Sequence, residues 1–272
     1  MTICIAATCN DGRSVIVASD TMVTNPGISI EFEHPGPKIT KLSPTCVALT
    51  AGDALAHTEL FDMVQSEIEQ LNAPPVQKIV REIKECYQAV RQREIVERVL
   101  APRGIPGFGE FYKLQSALSS EVAFTIQARI DTYDYGLSIL VAGISGPVAH
   151  IYGVSDPGTS QCYDAVNFHA IGSGTPHALN TLIARSCHSG TPLMEALLIV
   201  YEAKKMAEKA PGVGGVTDIS ILTEDCITDL PRQSVERLAE VYEKWTRCEE
   251  TWDAELRIIL GEPRENADEG ET

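Results

Sequence analysis

The order of elements legible in this chain predicts an α+β fold, with two mostly antiparallel sheets packed between layers of helices. Three observations predict it. Apolar runs with a period of two come in clusters, at residues 2–20, 37–53, 137–154 and 165–174, whereas runs with a helical period come in pairs. A doubly wound fold would alternate strand and helix one by one, and this chain does not. Tight-turn signals, Asp11-Gly12 and the run Ser145-Gly146-Pro147, join strands directly, as antiparallel neighbours allow.

Each element follows from its residues. In "TICIAAT", Ile3, Ile5 and Ala7 alternate with Cys4, Ala6 and Thr8, so a strand begins at once. The turn "CNDGRS" and the strand "VIVASD" complete a hairpin. "PKITKLSPTCVALTAGD" gives a second strand pair around Ser43-Pro44. Leu60, Val64, Ile68 and Leu71 then fall at helical spacing, and that helix stops before Pro74-Pro75. Val76, Ile79, Val80, Ile83, Tyr87 and Val90 share one face of a second helix, which runs toward Leu100. "APRGIPGFG" reads as a loop, and residues 110–134 show no clear period. Strands return at Leu137 to Val154 and in "AVNFHAIGSG". Helices are expected after Pro176 and from Thr191-Pro192, an N-cap and N1 pair, to about Lys209. "GGVTDISILTED" is a further strand. A last helix, Ser234 to Leu260, carries Val235, Leu238, Tyr242, Trp245, Trp252, Leu256 and Ile259 at alternating three- and four-residue spacing, broken only by Glu249.

The chain has 272 residues, 44% hydrophobic and 22% charged, enough to bury a full core without staples. Its net charge of -16 disfavours phosphate backbones and anionic membranes, so neither nucleic acid nor membrane is expected as a partner. The eight cysteines form no CxxC pair, and no basic, apolar leader is visible; reduced thiols in the cytoplasm are expected. The most apolar stretch, "LSILVAGISGPVAHIYGV", is broken by Gly, Ser, Pro and His150, which suits two buried strands rather than a membrane span. None of the six histidines sits in an HxxxH or HExxH spacing, so no metal or cofactor is expected.

Four stretches could carry chemistry. A residue as small as Thr2 permits removal of Met1, which would leave a threonine with hydroxyl and α-amine together. Asp20 ends the second strand of the hairpin, which brings it near Thr2. Lys38 stands at the start of an apolar strand, and a cation placed beside Thr2 favours the deprotonated hydroxyl. Lys41, at odd spacing from Lys38, points to the opposite face. In "IGSGTPHAL", the glycines around Ser173 let backbone approach a ligand, although the third glycine of a dinucleotide loop and the lysine of a P-loop are missing. His177, four residues on at a helix start, reads as a surface residue. Taken singly, each stretch also reads as ordinary structure.

Taken together, and in order, they resemble the β subunits of the proteasome and their bacterial relatives, the HslV and Anbu proteins. The likeness covers roughly residues 2–80 and 135–225. It rests on "TICIAA", "VIVASD", "GPKITKL", "CVALTAGDA", "IGSGTPHAL" and "GGVTDISILT". It implies a four-layer αββα sandwich of the N-terminal nucleophile (Ntn) hydrolase type. It places the catalytic threonine at Thr2, its acid at Asp20, its lysine at Lys38 and the serine near the amine at Ser173. The family's oxyanion glycine falls on Leu49. The chain departs from the family at "EKAPGVGG", where Ala210 and Val213 replace an Asp and a Ser, and Asp218 reads as structural. An insertion at about 90–134 and an extension after 228 are further departures, so a stand-alone prokaryotic relative is expected rather than an ordinary proteasome subunit. The expected organisation is a domain at 1–228, a helical extension at 229–262 and a disordered acidic tail at 263–272.

The implied function is a threonine peptidase or amidohydrolase that cleaves peptides or unfolded protein through an acyl-enzyme, inside a self-assembled ring. An unfoldase partner is left open. A related acyl-transfer enzyme, which ligates peptides, and a non-catalytic scaffold subunit are the alternatives. Against the scaffold stands the retention of a buried lysine, costly without its partner.

Overall fold

A computed structural model of the chain describes residues 2–25, 30–34, 36, 38–52, 56–71 and 73–249. It divides into two compact units, Met1–Leu230 and Pro231–Thr272. The first is mixed α and β with antiparallel sheets, the class that the element order predicts.

The chain opens with β1 (Ile3–Cys9) and β2 (Ser14–Asp20), paired with Cys4 opposite Ser19. Their turn places Asn10, Asp11 and Gly12 at φ 56°, 57° and 74°, the left-handed region that Asn, Asp and Gly tolerate best. Next comes a two-stranded hairpin without a clear sequence signal, β3 (Met22–Asn25) and β4 (Ile30–Glu33). β5 (Ile39–Ser43) and β6 (Cys46–Gly52) follow, then α1 (Ala56–Glu69) and α2 (Val76–Ile95). The last helix continues through a π turn at Val96–Leu100 and a 3-10 turn at Ala101–Arg103, close to the expected extension to Leu100.

The segment without a readable period holds two short helices, α3 (Phe108–Leu114) and α4 (Ser120–Asp131). Beyond it lie β7 (Leu137–Ser145), β8 (Val148–Ser155), β9 (Thr159–Cys162) and β10 (Phe168–Gly172). α5 (Thr175–Ala184), α6 (Leu193–Ala207), β11 (Thr217–Leu222) and β12 (Ile227–Asp229) complete the unit. Thr191 does not cap α6. Pro192 occupies the N-cap, and the Thr191 hydroxyl accepts the His188 N–H at 3.1 Å instead.

The strands form two five-stranded sheets, in the orders β10-β1-β2-β11-β12 and β5-β6-β7-β8-β9. One apolar cluster joins Cys4, Ala6, Val15 and Val17 of the first sheet to Val47, Leu49, Leu140 and Ile151 of the second. Another joins Cys46, Ala48, Ile139 and Val141 of the second sheet to Leu60, Val64, Ile79 and Ile83 of α1 and α2. α6 packs on β1 and β2, and α5 on β10. β1 is therefore covered on both faces, and all seven of its residues are buried. Each fully buried Ile contributes roughly 1.5–3 kcal/mol. That anchors a terminal strand that would otherwise fray.

A third, separate cluster gathers Ile95, Val99, Leu100, Ile105, Phe111, Ile126 and Ile130, so the mid-chain segment carries a small core of its own. The second unit contains α7 (Arg232–Glu249), an amphipathic helix in which the rings of Tyr242 and Trp245 lie 6.3 Å apart. Residues 250–272, where the rest of the expected helix and the acidic tail fall, lie outside the described residues, as does Met1. No described helix is long and apolar enough to cross a membrane.

Candidate active site

The hairpin geometry brings the first two sequence-predicted residues together. Register sets Asp20 beside the start of β1, and the Ile3 N–H donates to Asp20 Oδ1 at 3.0 Å. The Thr2 hydroxyl donates to the same oxygen and accepts a hydrogen bond from Lys38 Nζ. Lys38 Nζ also reaches Asp20 Oδ1 at 2.7 Å. Thr2, Asp20 and Lys38 thus form a closed triangle of hydroxyl, carboxylate and ammonium. Asp20 is 0% exposed and Thr2 3%, so these bonds act where water screens them little.

A buried carboxylate is tolerable only when its lone pairs are filled. Oδ2 of Asp20 accepts the N–H of Gly214 at 2.9 Å and that of Met22 at 3.3 Å. Neither donor was legible beforehand, because backbone amides carry no residue code. The glycine pair in "GVGG" was the available signal. A Cβ on Gly214 would lie 2.5 Å from Glu33 Oε1 and 2.9 Å from Met22 Cβ, so the approach to Asp20 requires glycine. Glu33 grips the same loop: its Oε1 accepts the N–H of Gly215 at 3.0 Å, and its Oε2 accepts the Thr21 hydroxyl.

Ser173 arrives from the opposite side, on the turn between β10 and α5. Its hydroxyl lies 3.4 Å from the Thr2 carbonyl oxygen and 3.3 Å from that of Pro211, so it can donate to either. The Gly174 N–H points at the same Thr2 carbonyl, at 3.3 Å. Just before them, Gly172 has φ +104°, and a Cβ there would sit 2.3 Å from the Thr2 carbonyl oxygen. Gly172→Ala is therefore expected to cost at least about 1–3 kcal/mol from backbone strain. A lowered urea midpoint would check it; an unchanged midpoint would show that this turn does not clamp Thr2.

Thr2, Gly172 and Ser173 line a cleft of about 470 Å³. The lining also includes Ala51 and Gly52 at the end of β6, Gly136 just before β7, Leu137 and Ser138 at its start, Ser155 at the end of β8 and Asp156 just beyond it. Here one expectation is corrected. Leu49, matched to the family's oxyanion glycine, lies mid-strand opposite Ile39 and Leu140 and is wholly buried between the sheets. On β6 it is Gly52 that borders the cleft. It has φ +122°, and a Cβ there would fall 2.0 Å from the Gly136 carbonyl oxygen.

The remaining polar groups sort cleanly. Lys41 faces away and pairs with Asp229 at 2.7 Å on the surface, while His177 is exposed on α5. Cys4 stands beside the triangle as a second candidate nucleophile. Burial pushes its thiol up to about 12, against the lowering effect of Lys38, so it stays protonated at neutral pH. Among the described residues, no group of three His, Cys, Asp or Glu side chains is placed to hold a metal. No protein-family model matches the chain, and no curated protein is significantly similar to it.

Proposed function

We propose that the chain is a threonine peptidase or amidohydrolase of the Ntn-hydrolase type, with its four-layer αββα architecture, acting in the cytoplasm within a self-assembled ring. The observation that carries this reading is the Thr2 hydroxyl held between Asp20 and Lys38 at the wall of a cleft. A hydroxyl that only stabilised the fold would not need a nearly buried ammonium against its oxygen, because desolvating that charge is costly.

The mechanism follows from these contacts. Hydrolytic loss of Met1 frees the Thr2 α-amine. Thr2 Oγ1 attacks the substrate carbonyl carbon, and its proton passes to that amine, directly or through water. The Lys38 ammonium stabilises the oxygen as it loses the proton, and Asp20 holds Lys38 in place. The carbonyl oxygen becomes an oxyanion, for which the Gly52 backbone N–H is the assigned donor. The tetrahedral intermediate collapses and expels the amine of the leaving peptide, protonated by the Thr2 amine. Water then hydrolyses the ester and restores Thr2. The amphipathic character of α7 is compatible with assembly into a ring.

Intact mass measured before and after incubation with a peptide epoxyketone tests the reading. The expected result is loss of Met1 and a single adduct that joins the hydroxyl and amine of Thr2. A chain that keeps Met1 and takes no adduct would overturn it and leave a scaffold with this fold.

A further inference from the structure

Lys204, on α6, is a fully buried charged side chain to which the proposed mechanism gives no task. Its side chain is 0% exposed, and burial lowers its affinity for a proton, against the raising effect of Glu208. All three of its N–H bonds are used. Nζ donates to Glu208 Oε1 at 2.6 Å, to the Gly214 carbonyl at 2.9 Å and to the Gly215 carbonyl at 3.0 Å. Those two carbonyls belong to successive peptide planes, and in a trans peptide the N–H points opposite to the C=O. The N–H groups of these same planes, on Gly215 and Val216, go to Glu33 Oε1 at 3.0 and 3.4 Å. The loop is therefore drawn taut between an ammonium on one side and a carboxylate on the other. One plane upstream, the Gly214 N–H is delivered to Asp20 at 2.9 Å. Two consecutive glycines would otherwise leave this stretch with wide conformational freedom.

We propose that Lys204 is a positioning residue: it fixes the peptide planes of Gly214 and Gly215 so that the Gly214 amide holds Asp20, and through Asp20 the Thr2–Lys38 pair, in reactive alignment. The inference rests on the reading of Thr2 as nucleophile. Its chemistry is specific to a tetrahedral three-donor head. A carboxylate would repel both carbonyls, and an apolar side chain would leave the buried Gly214 acceptor and the part-buried Gly215 acceptor without this donor. Lys205, one residue on, bonds Glu208 Oε2 at 2.5 Å but makes none of the bonds to the loop, which makes it the natural control.

The test compares Lys204→Met with Lys205→Met in the full chain. Methionine keeps the length and volume of the stem and removes the donors. The expected result for Lys204→Met is a fall in kcat on the order of 10²-fold with KM little changed, since a small misplacement of a reacting group costs about that much. Hydrogen–deuterium exchange across residues 208–217 should become at least about tenfold faster, while the sheets stay protected. Lys205→Met should alter neither quantity. If Lys204→Met does not fold, Lys204→Gln, which keeps a shortened donor, carries the test; its kcat should fall further than its stability predicts. A folded Lys204 variant with wild-type kcat, or with unchanged exchange in that loop, overturns the proposal. If the unmutated chain takes no epoxyketone adduct, the peptidase reading fails by itself. The exchange measurement then still decides whether Lys204 braces the loop.

Discussion

Thr2→Ala is expected to lower kcat for peptide cleavage by about 10⁴-fold or more, and to abolish the epoxyketone adduct, while leaving the fold nearly as stable as before. Loss of an activated nucleophile removes the covalent route altogether, and only binding and oxyanion stabilisation remain to accelerate attack by water. The stability change is small by comparison. Asp20 loses one of its donors, but Lys38 stays 2.7 Å away and three backbone amides remain in place. The two hydrogen bonds of the lost hydroxyl, to Asp20 and from Lys38, are each worth on the order of 1 kcal/mol. The pairing of a large kinetic effect with a small thermodynamic one separates a catalytic hydroxyl from a structural one. Turnover of a fluorogenic peptide and urea denaturation of the same preparation measure both. Thr2→Ser should retain adduct formation, because it keeps the hydroxyl and the amine. A Thr2→Ala protein that cleaves at the wild-type rate would move the chemistry elsewhere in the cleft.

Asp20→Ala should damage both properties. It strands the Lys38 ammonium, 14% exposed, beside a hole, and leaves the amides of Ile3, Met22 and Gly214 without their acceptor. Breaking a buried pair from one side costs about 3–5 kcal/mol. Domains are typically stable by only about 5–15 kcal/mol, so a large part of the margin disappears. Activity should fall with it, because Lys38 no longer has a fixed place beside the Thr2 oxygen. Lys41→Ala is the matched control. Its partner Asp229 is 59% exposed, and such surface pairs contribute roughly 0–1 kcal/mol. Equal denaturation midpoints for Asp20→Ala and Lys41→Ala would refute the buried-pair account.

Much of this was written in the local pattern of the chain. β1 and β2 could be read because apolar residues alternate on either side of an Asn-Asp-Gly turn, and α2 because its buried face repeats at helical spacing. Thr2, Asp20 and Lys38 could be nominated because a hairpin forces its ends together and one strand start carries a lysine. Other parts lacked a local signal. β3 and β4 are four residues each, too short for a period to register. α3 and α4 pack into a satellite cluster whose members, from Ile95 to Ile130, are spread too widely to form one stripe. The amides of Met22 and Gly214 depend on loop conformation alone. The resemblance puts the oxyanion position at Leu49, three residues along β6 from Gly52, which borders the cleft.

The interior place of β1 in its sheet also sets a timetable. Its two neighbours are β2, which follows it directly, and β10, which comes after most of the chain. The acceptor Asp20 and its donor Gly214 are 194 positions apart. At the usual pace of synthesis, about 5–20 residues per second, roughly 10–40 s pass between the appearance of one and the other on the ribosome. During that interval the carboxylate has no amide from the loop, and β1 lacks the partner on its far side. On the proposed reading, Thr2 gains its full setting only when the chain that carries it is nearly finished.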